Sequence, residues 1–124
     1  MQVKLKAYSP KYRDLTPGNV YRVIGIEADD FRIMNDVGQP YLYPHRLFRV
    51  VDASRNPDWQ RTVGTEGEEY AYPRALAAPG FFEDYFDRSP AAVEALHTYL
   101  RSSPHMKSKS PKPKPRRTRA GQAA

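Results

Sequence analysis

The chain has 124 residues and no cysteine, which excludes a disulfide framework, a thiolate metal site and a thiol nucleophile. Its length suits one domain, or one compact barrel with an added element, and excludes two large independent cores. The net charge of +6 is local: residues 104–124 hold seven Lys/Arg and no acid, and the other 13 Lys/Arg are balanced by all 14 Asp/Glu.

The chain opens with MQVKLKAY, where Val3, Leu5 and Ala7 alternate with Lys4 and Lys6 at the period of a half-buried strand. With no continuous apolar run, this start predicts neither a signal peptide nor a membrane span, and a cytoplasmic protein is expected. Val20 to Glu27 is rich in β-branched residues and reads as the next strand. Ala28-Asp29-Asp30 reads as a short turn, and Phe31 to Asn35 as the return strand. The segment Asp36 to Pro40 is a loop in which Gly38 can take a positive φ. Tyr41 to Tyr43 starts a further strand. Pro44 ends it without leaving a ladder donor unpaired, and His45-Arg46-Leu47 can form one helical turn leading into Phe48 to Val51.

After Asp52 the stretch ASRNPDW reads as a loop. QRTVGTEGEEYAYP reads as a hairpin, with Gly64 and Gly67 in its turn and Tyr70 and Tyr72 on one strand face. FFEDYF follows a Pro-Gly break and suits a short aromatic helix. SPAAVEALHTYLRS is the clearest helix, with Ser89 as N-cap, Pro90 at the first position and Val93, Leu96 and Leu100 on one side. No internal repeat is expected. The tail from Pro104 has four prolines and no aromatic residue, a composition that predicts disorder.

Short strands with tight turns and no intervening helix predict a mainly β (α+β) fold, a small antiparallel barrel with an added hairpin and a C-terminal helix. The expected parts are a barrel over 1–52, a hairpin and helical extension packed on it over 53–103, and a basic tail over 104–124. The order of features resembles the Src-homology-3-like small barrel: LTPGNVYRVIGI matches its first part, DFRIMNDVGQPYLYP its hairpin and distal loop, and PHRLFRVV its one-turn helix and closing strand. In the peptide-binding branch of that family a tryptophan opens the return strand. Phe31 stands there in this chain, a departure from the pattern of the peptide groove that Tyr8, Tyr12, Pro44 and Leu47 would line. The longer pattern, ending in PGFFEDYFD, is similar to small bacterial proteins of toxin and immunity neighbourhoods. That resemblance implies a protein that binds and blocks a toxin.

The residues do not spell out an active site. His45, His97 and His105 are scattered and match no helical metal pair, the Asp residues sit at turns, and GTEG lacks the Lys-Ser/Thr of a phosphate loop. No enzyme activity, metal or cofactor is expected. A denser constellation is acidic and aromatic: Glu66, Glu68, Glu69, Tyr70, Tyr72, Phe82, Glu83, Asp84, Tyr85 and Asp87, with Phe81 and Phe86. Charges steer a basic partner and rings supply anchor area, so this segment is the expected partner-binding surface, the partner being a protein such as a cationic toxin. The same pattern also arises when rings fill a core and acids face solvent. The tail residues Lys107, Lys109, Lys112, Lys114, Arg116, Arg117 and Arg119 are the alternative, a sequence-independent contact to nucleic acid without base stacking.

Overall fold

A computed structural model describes residues 1–102. Among the described residues the fold is mainly β, with seven strands that pair antiparallel, two α-helices and two 3-10 turns. Two units are distinct, Met1–Ala78 with all the strands and a second beginning at Pro79 with the helices.

In the first unit the strands are β1 (Gln2–Leu5), β2 (Val20–Glu27), β3 (Asp30–Met34), β4 (Pro40–Pro44), β5 (Phe48–Asp52), β6 (Trp59–Val63) and β7 (Glu69–Pro73). Their order is β4-β3-β2-β1-β5, and β7 joins β2 as well as β6. The long strand β2 organises the sheet: Val20 to Arg22 pair with β1, Val23 to Glu27 with β3, and Ile26 and Glu27 with β7. Its register on β3 slips between Val23 and Gly25, and such a bulge bends a strand so that its two halves serve different neighbours. The alternation read from the sequence fills the core from one face. Val3, Leu5, Tyr21, Val23, Ile33, Tyr43 and Phe48 are buried in one cluster with Leu15, and Tyr12, Phe31, Leu47 and Trp59 pack against it. The first strand ends at Leu5, two residues earlier than its alternation predicts, and Ala7 is exposed.

The turn predicted after Pro44 is present as His45–Leu47, and it leads into β5, which lies along β1. A second such turn, Arg74–Leu76, follows Pro73. The expectation of no internal repeat is therefore corrected. The hairpin β6–β7 with its turn is a second copy of β3–β4 with its turn, each element beginning 29 residues after its counterpart: Trp59 after Asp30, Glu69 after Pro40, Arg74 after His45. The cross-strand partners follow the same spacing, Phe31↔Tyr43 against Gln60↔Tyr72 and Met34↔Pro40 against Val63↔Glu69. The copies share Asp29/Asp58, Arg32/Arg61, Gly38/Gly67, Tyr41/Tyr70, Tyr43/Tyr72, Pro44/Pro73 and Leu47/Leu76. Gly38 and Gly67 take φ of 77° and 84°, a region costly for any residue with a Cβ. The repeat is hidden in the sequence because the strand residues differ with burial. Phe31 and Ile33 lie on a strand paired on both sides, whereas Gln60 and Thr62 are exposed on an edge.

In the second unit α1 (Phe81–Phe86) and α2 (Pro90–Ser102) pack on each other, joined through Asp87, Arg88 and Ser89. Arg88 takes φ of 66°, which closes the turn between the helices. The buried stripe of α2 is Ala92, Leu96 and Tyr99, with Val93 and Leu100 at its margins. The tail positions from 104 lie outside the described residues.

Candidate protein-interaction surface

The ten residues expected to bind a partner fall in both units. Glu66, Glu68, Glu69, Tyr70 and Tyr72 belong to the β6–β7 hairpin; Phe82, Glu83, Asp84, Tyr85 and Asp87 belong to α1 and its end. The seven cationic tail positions, Lys107 to Arg119, lie outside the described residues.

On the hairpin, side chains sort by the two-residue period of the strands. Trp59, Arg61 and Val63 share a face with Ala71 and Glu69, and that face carries Ala71 into the core. Gln60, Thr62, Tyr70 and Tyr72 share the other. Glu69 is committed within the fold: Arg55 donates to both its oxygens at 2.7 and 3.2 Å, and Arg61 Nε donates to Oε2 at 2.9 Å. The hydrogen bond from Arg55 is the main reason its carboxyl is held below the ordinary value of 4.5. Arg55 also lies over the Trp59 ring, 5.5 Å from its centroid. Glu68 folds back over Gly64 and accepts from the Glu66 backbone N–H at 3.0 Å, which shapes the hairpin tip. Of the five expected hairpin residues the exposed ones are Glu66 and Tyr70, the latter 39 % exposed.

Tyr72 is engaged across three strands. Arg32 on β3 pairs in register with Gly25 on β2, and its side chain reaches over that glycine to β7. Arg32 Nε donates to the Tyr72 hydroxyl at 2.7 Å, the hydroxyl donates to Glu27 Oε2, and Arg32 closes the triangle to the same oxygen at 3.2 Å. A further guanidinium N–H donates to the Pro40 carbonyl at 2.7 Å, so a buried charge is satisfied on several sides. Burial is the first cause that raises the Tyr72 phenol well above 10. The sequence reading missed this cluster; the lone Gly25 inside a β-branched strand was its available signal.

In the second unit Phe82 is buried, Tyr85 is half-buried, and Glu83, Asp84 and Asp87 are exposed. Phe86 is 42 % exposed, and its ring stands edge-on to Tyr85 with centroids 5.2 Å apart. Acid and aromatic side chains therefore share the exposed part of α1. Each unit contributes such a surface.

No family model, curated protein or solved structure matches the chain.

Of the residues expected to line a peptide groove, Tyr8 is exposed, while Tyr12, Pro44 and Leu47 are partly buried. At the position of the absent tryptophan, Phe31 stacks obliquely with His45 and Phe48, with centroids 5.9 and 6.3 Å apart. Among the described residues no three His, Asp or Glu side chains gather as metal ligands, and no helix is long and apolar enough to cross a membrane.

Proposed function

We propose that the chain is a non-catalytic protein-binding module, an immunity-type protein that neutralises a cationic bacterial toxin by direct contact. Its strand order β4-β3-β2-β1-β5, with a 3-10 turn before β5, supports a Src-homology-3-like barrel as the scaffold. The observation that carries the reading is the exposure of acids beside rings: Glu66 with Tyr70 on the hairpin, and Glu83, Asp84 and Asp87 with Phe86 on α1. Acids that no ion pair among the described residues consumes steer a basic partner, and half-exposed rings give it area to bury. Glu69 and Tyr72 serve instead as supports that hold the hairpin in place.

The test is affinity capture from native lysate with the full-length chain, a chain lacking 104–124, and Glu83→Lys with Asp84→Lys. One stoichiometric basic protein should be captured by the first two and lost with the third, and co-expression should relieve its toxicity. Capture unaffected by charge reversal removes the acidic surface from the reading. Nucleic acid retained only by the full-length chain, with a steep salt dependence, would support the second reading, an electrostatic anchor made by the seven cationic tail residues.

A further inference from the structure

The two copies of the hairpin attach to β2 through different strands, and this leaves β6 as an edge of the sheet among the described residues, as β4 and β5 also are. In the first copy β3 is paired on both sides, by β2 and β4; its counterpart β6 pairs with β7 alone among the described residues. The ladder shows which backbone groups that edge presents. Gly64 N–H donates to the Glu68 carbonyl at 2.8 Å, so bonded pairs alternate onward through Thr62/Tyr70 and Gln60/Tyr72. Arg61 and Val63 then point their N–H and C=O away from β7. The opposite strand agrees: Glu69, the partner of Val63, turns its carbonyl outward to Ala28 N–H at 2.7 Å.

The other free edge of the first copy is blocked. On β4 the outward-pointing positions are Pro40, Leu42 and Pro44, since Asn35 N–H donates to Gln39 and sets the same alternation. Prolines at such positions remove the donors a foreign strand would need. On β6 the corresponding positions are Trp59, Arg61 and Val63, with no proline and with Val63 54 % exposed.

We propose that β6 is the site of self-association, two copies of this chain joining their β6 strands antiparallel about a two-fold axis at Arg61. This register is self-complementary. Trp59 faces the partner's Val63, and Gln60 faces the partner's Thr62, so apolar meets apolar and polar meets polar. Val63 N–H donates to the partner's Trp59 carbonyl, and the two Arg61 residues exchange backbone bonds. Trp59 N–H already donates to Asn56 at 3.1 Å and is not required. The antiparallel run also carries the hairpin tip of one copy, with exposed Glu66, toward the segment of the other that holds Arg55. The two Arg61 side chains meet at the axis as like charges, each held by its own Glu69 at 2.9 Å. An edge of five residues buries little area, so a weak dimer is expected, with Kd on the order of 100 µM.

Sedimentation of the full-length chain over a range of concentrations should show a reversible doubling of mass. Arg61→Pro removes the outward N–H and leaves the β6–β7 bonds, which use Gln60, Thr62 and Gly64; it should stay monomeric with an unchanged far-ultraviolet spectrum. A second measurement does not depend on that variant folding. The native chain is free of cysteine, so Gln60→Cys mixed with Thr62→Cys should form a disulfide-linked pair, and neither alone should do so at the same rate. A chain monomeric to about 1 mM, an Arg61→Pro variant that dimerises like the parent, or cysteines that do not cross-link in the mixture would each overturn the proposal.

Discussion

The Tyr72 ring occupies the space that a side chain on Gly25 would need. A Cβ built at Gly25 falls on the ring itself, and the ring is fixed by the hydrogen bonds of its hydroxyl to Arg32 and Glu27. Gly25 is thus where β2 accepts the second hairpin, with Arg32 and Tyr72 closing over it from the two sides. Gly25→Ala should destabilise the fold by about 2 kcal/mol, the usual scale of overpacking. In a double-mutant cycle, Tyr72→Ala should absorb much of that cost, because it removes the clash. Additive losses in urea unfolding would separate the two residues.

Tyr72 and Tyr43 are both raised well above the ordinary phenol value of 10.0, first by burial. An acid that holds its proton more tightly when folded adds stability that is intact below the unfolded value and is lost as pH climbs through the folded one. Absorbance titration at alkaline pH should therefore show phenols that ionise only with unfolding. Replacing Tyr43 and Tyr72 by Phe should shrink that late phase, leaving the part that belongs to Tyr21, which burial also raises.

Glu69 has the opposite sign. Its folded value lies below 4.5, so its contribution is present above that pH and falls away as acid protonates it. The carboxylate is partly solvated, at 23 % side-chain exposure, so the effect is modest. Glu69→Gln should flatten the fall of melting temperature between about pH 5 and pH 3 relative to the parent. An equally steep fall in the variant would place the acid sensitivity elsewhere.

Asn35 is a buried hub. Its Nδ2 donates to Asp14 Oδ2 at 3.1 Å and to the Tyr43 hydroxyl at 3.0 Å, while Oδ1 accepts from the N–H groups of Val37 and Gln39. Asn35→Ala should cost about 2 kcal/mol, since the buried bond to the Tyr43 hydroxyl and three part-buried bonds are lost at once. Hydrogen exchange at Val37 and Gln39 should accelerate more than exchange at Thr62 on the second hairpin. Equal acceleration at both would mean a global loss and no local hub.

The loop between β1 and β2 is tied by a second cluster around Asp36. Tyr21 donates to its Oδ1 at 2.6 Å and Thr16 Oγ1 to its Oδ2 at 2.6 Å, while Asp36 N–H donates to the Asp14 carbonyl. Asp36→Ala should loosen residues 9–17 to protease while β6–β7 stays resistant, read by limited proteolysis and mass spectrometry.

Most of the local structure follows from short-range patterns in the chain. Alternation at Val3 and Leu5, the β-branched run to Glu27, the Gly-bearing turns and the Ser89-Pro90 start each constrain a few neighbouring residues. Their elements appear close to where those constraints place them. Pro44 was legible as a strand end for the same reason: the missing N–H acts at its own position. Which strands meet depends on long-range packing that no short stretch encodes. The match between the hairpins was masked because burial dictates the strand residues, giving Phe31 and Ile33 in one copy and Gln60 and Thr62 in the other. The roles of Glu69 and Tyr72 depended on Arg55, 14 residues away, and Arg32, 40 residues away. Composition marks them as acid and aromatic; the placing of β7 between β6 and β2 brings Glu69 to Arg55 and Arg61 and brings Tyr72 to Arg32 and Glu27.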